Sequence, residues 1–190
     1  MTCTAFGYSR GCCSLVSLVS SSQSDSAQPR RPKSAQAAEM GQLAENFVAQ
    51  WLTEQGWQVI EQRWHCRWGE LDLVMLSLAS GLANSELAFV EVKARSKGNW
   101  DGDGLLAMTV TKREKLVRAA QAFLSAHPQW ANLPCRFDVA LVHARSCPPT
   151  VPVSLNLSLN LSSNLIQLGQ PVAVGAYHLT LQHYIPGAFD

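Results

Sequence analysis

The chain has 190 residues, 47% of them hydrophobic, with 15 Lys and Arg against 14 Asp and Glu and a net charge of +1. That supplies enough apolar material for a buried core and excludes wholesale disorder or a collagen-like repeat, while no apolar run approaches the roughly 20 residues of a membrane-crossing helix. Near-neutral charge gives phosphates no global attraction, so a nucleic-acid function has to rest on a local site.

Residues 1–38 are rich in Ser, Gln and Ala and show neither helical nor strand period, which predicts a disordered N-terminal extension. Its one apolar stretch, Leu15-Val16-Ser17-Leu18-Val19, is broken by Ser and lacks a compact cleavage site, so no secretory signal is expected and the chain reads as cytoplasmic. Met40 stands just ahead of the first patterned helix, which makes it a candidate translation start. The six cysteines show no CxxC spacing and are expected to be reduced thiols, with Cys66 and Cys135 at core or edge positions.

Met40, Leu43, Ala44, Phe47, Val48, Trp51 and Leu52 follow the 3.6-residue repeat and predict an amphipathic helix ending near Gly56. Glu45 falls on the flank of that stripe, about 120° from its centre. Extended segments follow at 57–64, 70–77 and 87–93. Asp101-Gly102-Asp103-Gly104 resembles the start of a calcium loop but lacks the Glu at the twelfth position, so it reads as a turn. A second helix is expected over 110–126, with Leu116, Val117, Ala120, Phe123 and Leu124 inward and Lys112, Arg113, Lys115 and Arg118 mostly off that stripe. Strands at 136–143 and 177–184 complete the pattern. Between them, the near-repeat of Ser-Leu-Asn-Leu at 154–168 and the prolines around it suggest a low-complexity insertion over about 146–176. The order αβββαβ, with one further strand, predicts an α/β mixed sheet flanked by helices, with a parallel crossover between the third and fourth strands.

The chemistry-bearing residues cluster in the central strands. Glu91 and Lys93 share one face of their strand while Val90 and Val92 take the other, and Asp72 stands one strand earlier. A structural ion pair satisfies that pattern. So does a site in which two carboxylates hold Mg²⁺ and a lysine positions water against a phosphodiester. The basic turn at Lys112, Arg113 and Lys115, with Arg95 and Lys97, is the local candidate for backbone phosphates, unless it is only a solvated helix face. Trp57, Trp64, Trp68 and Trp100 could stack on bases or fill core. His65 and Cys66 are neighbours that point apart in a strand and read as structural, and Asp138 is expected to satisfy backbone or Arg136-like partners rather than a metal.

Taken together, Gly41-Gln42-Leu43-Ala44-Glu45, Trp68-Gly69-Glu70-Leu71-Asp72-Leu73-Val74, Phe89-Val90-Glu91-Val92-Lys93-Ala94-Arg95, Lys112 and Arg136-Phe137-Asp138-Val139 resemble the YraN family, uncharacterised protein family 0102. That family in turn resembles the PD-(D/E)XK nucleases, with a pattern similar to archaeal Holliday junction resolvases. The resemblance covers about 40–143 and resumes at 177–190. It implies a restriction-endonuclease-like αβββαβ fold over 39–190 and a metal-dependent endonuclease. Asp72, Glu91 and Lys93 would be its core, Glu45 would complete the acidic cluster, Asp72, Glu91 and Glu45 would bind Mg²⁺ or Mn²⁺, and the Val92 carbonyl would be a further candidate ligand. Glu70 ranks second to Asp72, and Ala44 replaces the family's usual glycine. The implied partner is nucleic acid, DNA before RNA, with no membrane; resolvase-like folds often work as symmetric dimers, which makes a homodimer one candidate assembly that the sequence does not decide. A non-catalytic nucleic-acid-binding module on the same fold and a protein-interaction scaffold are the alternatives.

Overall fold

A computed structural model describes residues 32–77, 85–96, 108–147 and 165–189. The extension before residue 32, the Asp101–Gly104 turn, Lys97, Trp100 and the repeat at 154–164 lie outside them. Ala44, Phe47, Val48 and Leu52, joined by Ala49, are the buried positions of helix α1 (Lys33–Glu54), as the apolar stripe predicts. The helix starts at Lys33 and passes through Met40 unbroken. Its first turns carry the alanine-rich Ser34-Ala35-Gln36-Ala37-Ala38, whose helix propensity is high but whose exposed side chains leave no periodic trace. Gly56, at φ +88°, releases the chain into the sheet.

Strands β1 (Trp57–Cys66), β2 (Gly69–Ser77) and β3 (Leu87–Arg95) form a meander. Helix α2 (Val110–Ala126) crosses over to β4 (Cys135–Ser146), and β5 (Pro171–Val174) and β6 (Tyr177–Phe189) follow. The sheet runs β1-β2-β3-β4-β6-β5, and β3 and β4 pair in parallel, as the intervening helix requires. Alternation along β3 divides the core in two. Ala88 and Val90 meet Phe47, Val48 and Leu52 of α1 on one face, while Leu87 and Phe89 meet Leu116 and Phe123 of α2 on the other.

The C-terminal strands are longer than their patterning predicts, and β5 forms within the segment expected as an insertion. Ile166, just before it, is buried against α1 and donates its N–H to Glu54 Oε2 at 2.9 Å. Pro186-Gly187 conceals the continuation of β6 in sequence, yet Asp138 anchors it. That carboxylate, fully buried on β4, accepts the Gly187 N–H at 2.9 Å, the Tyr184 hydroxyl and the Arg136 Nε–H at 3.1 Å. Arg136 also reaches Glu86 Oε1 at 2.6 Å and lies over the Trp57 ring, so the expected role of Asp138 is the observed one. Among the described residues Cys66, Cys135 and Cys147 are free thiols, and no helix is long and apolar enough to cross a membrane.

Two strand pairings set up the site. β2 pairs with β1 all the way to Gly69, but with β3 only from Leu73↔Val90 to Leu76↔Leu87. Past Leu73 the two strands part, opening a notch in the middle of the sheet.

Candidate active site

In that notch Val92 has lost its ladder neighbour on β2, and a buried N–H must find another acceptor. Asp72 supplies it: its Oδ2 accepts the Val92 N–H at 2.8 Å. The aspartate is thereby tied to the backbone between Glu91 and Lys93. Glu91 is 3% exposed, and its Oε1 accepts from both Lys93 Nζ, at close range, and Lys112 Nζ at 3.1 Å. Its other oxygen, Oε2, is buried without a hydrogen-bond partner. Burial foremost, then the Glu91 charge, pushes the Asp72 carboxyl up to about 6, against the opposing pull of the Val92 amide, Lys112 and Lys93.

Glu45 approaches from α1, held there by the buried Ala44 beside it. Its Oε2 is also buried without a hydrogen bond, and Arg63 Nε lies 3.6 Å away. Gly41 lies one turn before it, and even a Cβ added there would stand 4.0 Å from Glu45 Oε1. Burial raises Glu45 to about 7, with the charges of Asp72, Glu70 and Glu91 adding to the effect and Arg63 opposing it. Three acids thus crowd one another electrostatically. Among the described residues, however, no three His, Cys, Asp or Glu side chains form a ready-made metal cluster.

Arg63 is the member that sequence reading misses. It lies between the Gln62↔Leu73 and Trp64↔Leu71 pairs, opposite Asp72, with a left-handed φ of +54°. Its guanidinium bridges Glu45 and Glu70, the latter at 2.9 Å, and His65 Nε2 adds a contact to Glu70 at 3.3 Å. Nothing in the alternation of β1 marks an arginine for that conformation, which is normally taken by glycine or asparagine. Glu70 therefore serves the site through Arg63.

The residues expected to meet phosphates divide. Lys112 belongs to the Glu91 cluster. Arg113 turns its Nε to the Met108 carbonyl at 3.2 Å and its guanidinium over Phe189, closing the start of α2. Lys115 is exposed on α2, and Arg95 is exposed at the end of β3. Of the tryptophans, Trp57 and Trp64 pack against the core, Trp64 edge-on to Phe123, while Trp68 is 36% exposed.

The raised carboxyls fix the sign of a pH dependence. Glu45 and Asp72 ionise at higher pH in the fold than in the unfolded chain, so their favourable contribution is complete below their ordinary range and disappears as pH rises through about 6 to 7. Glu45→Gln should melt roughly 2–4 °C above the parent near pH 8 and no higher near pH 4. Thermal melts at the two ends check this, and an equal gain at both would show that the charge is not the cause.

The sequence that builds this site is matched by comparison with known proteins. A model of the family described as "Uncharacterised protein family UPF0102" matches residues 44–142, which include Glu45, Asp72, Glu91, Lys93 and Lys112. A UPF0102 protein of Acaryochloris marina is 41% identical over 166 residues, 86% of this chain and 96% of the relative. One of Synechocystis sp. is 41% identical over 151 residues, covering 80% and 97%. One of Synechococcus sp. is 54% identical over 114 residues, covering 60% and 82%.

Proposed function

This chain belongs to the UPF0102 family, the YraN family, and from that premise we propose that it is a metal-dependent endonuclease of the PD-(D/E)XK type, acting on DNA. One observation carries the reading: Asp72 is bonded to the backbone amide between Glu91 and Lys93, in a notch where two strands part. Carboxylate oxygens buried without a hydrogen bond, Glu45 Oε2 and Glu91 Oε2, suit a hard divalent cation. Mg²⁺ keeps several of its waters, so one or two carboxylates suffice and a closed protein cage is not required. Asp72 and Glu91 would hold the ion, with Glu45 as the third acid. The chemistry such an ion supplies is activation of water and stabilisation of charge on a phosphoryl oxygen. Lys93, already fixed by Glu91, presents its ammonium to the attacking water or the phosphate. Lys112 meets the same Glu91 Oε1 and helps to keep that carboxylate oriented, leaving Oε2 open.

A second reading rests on the same lysines. Because Lys93 and Lys112 neutralise Glu91 by themselves, the fold can keep a buried carboxylate as part of a non-catalytic DNA-binding module. Calorimetric titration of Mg²⁺ and Mn²⁺ into the parent and Asp72→Ala, paired with cleavage of linear and four-way-junction DNA, separates the two. Metal binding lost in Asp72→Ala, together with cleavage by the parent, supports the endonuclease. Salt-sensitive DNA binding with neither metal uptake nor cleavage selects the module.

A further inference from the structure

The turn between β1 and β2 consists of Arg67 and Trp68, closed by the Cys66↔Gly69 pair. Two-residue hairpin turns favour Asn, Asp and Gly at positive φ, and neither of these residues has a positive φ. Turn chemistry therefore does not account for an arginine and a tryptophan here. Trp68 is 36% exposed, and the guanidinium groups of Arg67 and of Arg118, from α2, lie over its ring at 4.6 and 5.1 Å from the centroid. The Trp68 N–H to Cys66 Sγ contact at 3.4 Å fixes the turn beneath the ring. Ala122, Ser125 and Ala126 keep the adjoining helix face low, leaving an open groove of about 700 Å³ that no carboxylate lines.

A half-exposed tryptophan ring with two guanidinium groups lying over it forms a cationic stacking surface, which matches a ligand that carries both a planar ring and a phosphate. Arginine adds a second surface on which a base can stack. Arg118 lies six residues along α2 from Lys112, which touches Glu91. That is about 9 Å along the helix, or roughly two to three stacked nucleotide steps. We propose that the Arg67–Trp68–Arg118 groove is a subsite for an unpaired nucleotide two or three steps from the carboxylates, which makes the substrate DNA with a single-stranded arm. This deepens the endonuclease reading and rests on it.

The test is fluorescence anisotropy on the full chain, without divalent metal, using a labelled blunt duplex and the same duplex with a single-stranded thymidine tail. Trp68→Ala should weaken binding of the tailed duplex about tenfold and leave the blunt duplex within about twofold, while Trp68→Phe retains most of the affinity. Arg67→Gln combined with Arg118→Gln should flatten the salt dependence for the tailed DNA by about 1.4 in log–log slope. Thermal melts confirm that each variant is folded. Equal affinity of parent and Trp68→Ala for the tail overturns the subsite, as does failure of the parent to bind either DNA. Cleavage of the blunt duplex with magnesium is scored separately. If it persists where the tail effect is absent, the endonuclease stands and only the subsite falls. If the tail effect is present without cleavage, the subsite stands on the binding module.

Discussion

On the proposed endonuclease reading, Glu91→Ala is expected to lower DNA cleavage by at least about a thousandfold, the scale set by losing several kcal/mol of electrostatic stabilisation at a reacting phosphate. The same variant stays folded. Two properties of its surroundings make both expectations hold together. First, Glu91 joins the two lysines to the aspartate: it meets Lys93 and Lys112, and its charge helps to raise Asp72. Its loss removes one of the paired acids and releases both ammonium groups from their fixed positions. Second, those ammonium groups are not buried, Lys93 being 28% and Lys112 36% exposed, so water solvates them when their partner is gone. Glu91→Gln keeps the shape without the charge and should fail equally in cleavage. Cleavage assays under magnesium, with melts alongside, decide it. A variant cutting as fast as the parent would remove Glu91 from the reaction.

Asp138→Ala behaves in the opposite way: it destabilises the protein by about 3–5 kcal/mol, lowering the melting temperature by roughly 10 °C. Here it is the acceptor itself that is enclosed, although Arg136 is 29% exposed. The carboxylate is fully buried and accepts from Arg136, Tyr184 and the Gly187 amide, so its removal leaves three donors without an acceptor. Burial and the adjacent Asp138 charge hold the Tyr184 hydroxyl above its ordinary range, so it stays the donor in its bond to Asp138. Asp138→Asn restores an acceptor for Gly187 but faces Arg136 with a neutral amide, and so recovers only part of the loss. Urea or thermal unfolding measures both, and a variant within about 2 °C of the parent would show that the network contributes little.

What was legible in the sequence is what repeats. The stripe of Phe47, Val48 and Leu52 announces α1, and the alternation around Glu91 announces β3 and places its acid and amine on one face. The resemblance of the ordered motifs singles out Asp72 and Glu45 as candidates, but the notch beside Asp72 is not legible, because strand pairing that stops at Leu73↔Val90 leaves no mark on composition. Lys112 was legible as a basic residue at the start of α2, but its approach to Glu91 depends on how the crossover lays the helix on the sheet. The full length of β6 was hidden because Pro186 and Gly187 read as an ending, and only a buried acceptor on the neighbouring strand holds them in line.

Arg63 has a consequence for how this fold balances endurance against readiness. A left-handed backbone costs a non-glycine residue about 1–2 kcal/mol, and in this chain that cost falls on the residue whose side chain links Glu45 to Glu70. Selection for durability alone would place glycine there. What the arginine adds is the reach of its guanidinium, and a substitution that relieved the backbone at this position would leave a more robust protein with a slacker acidic centre.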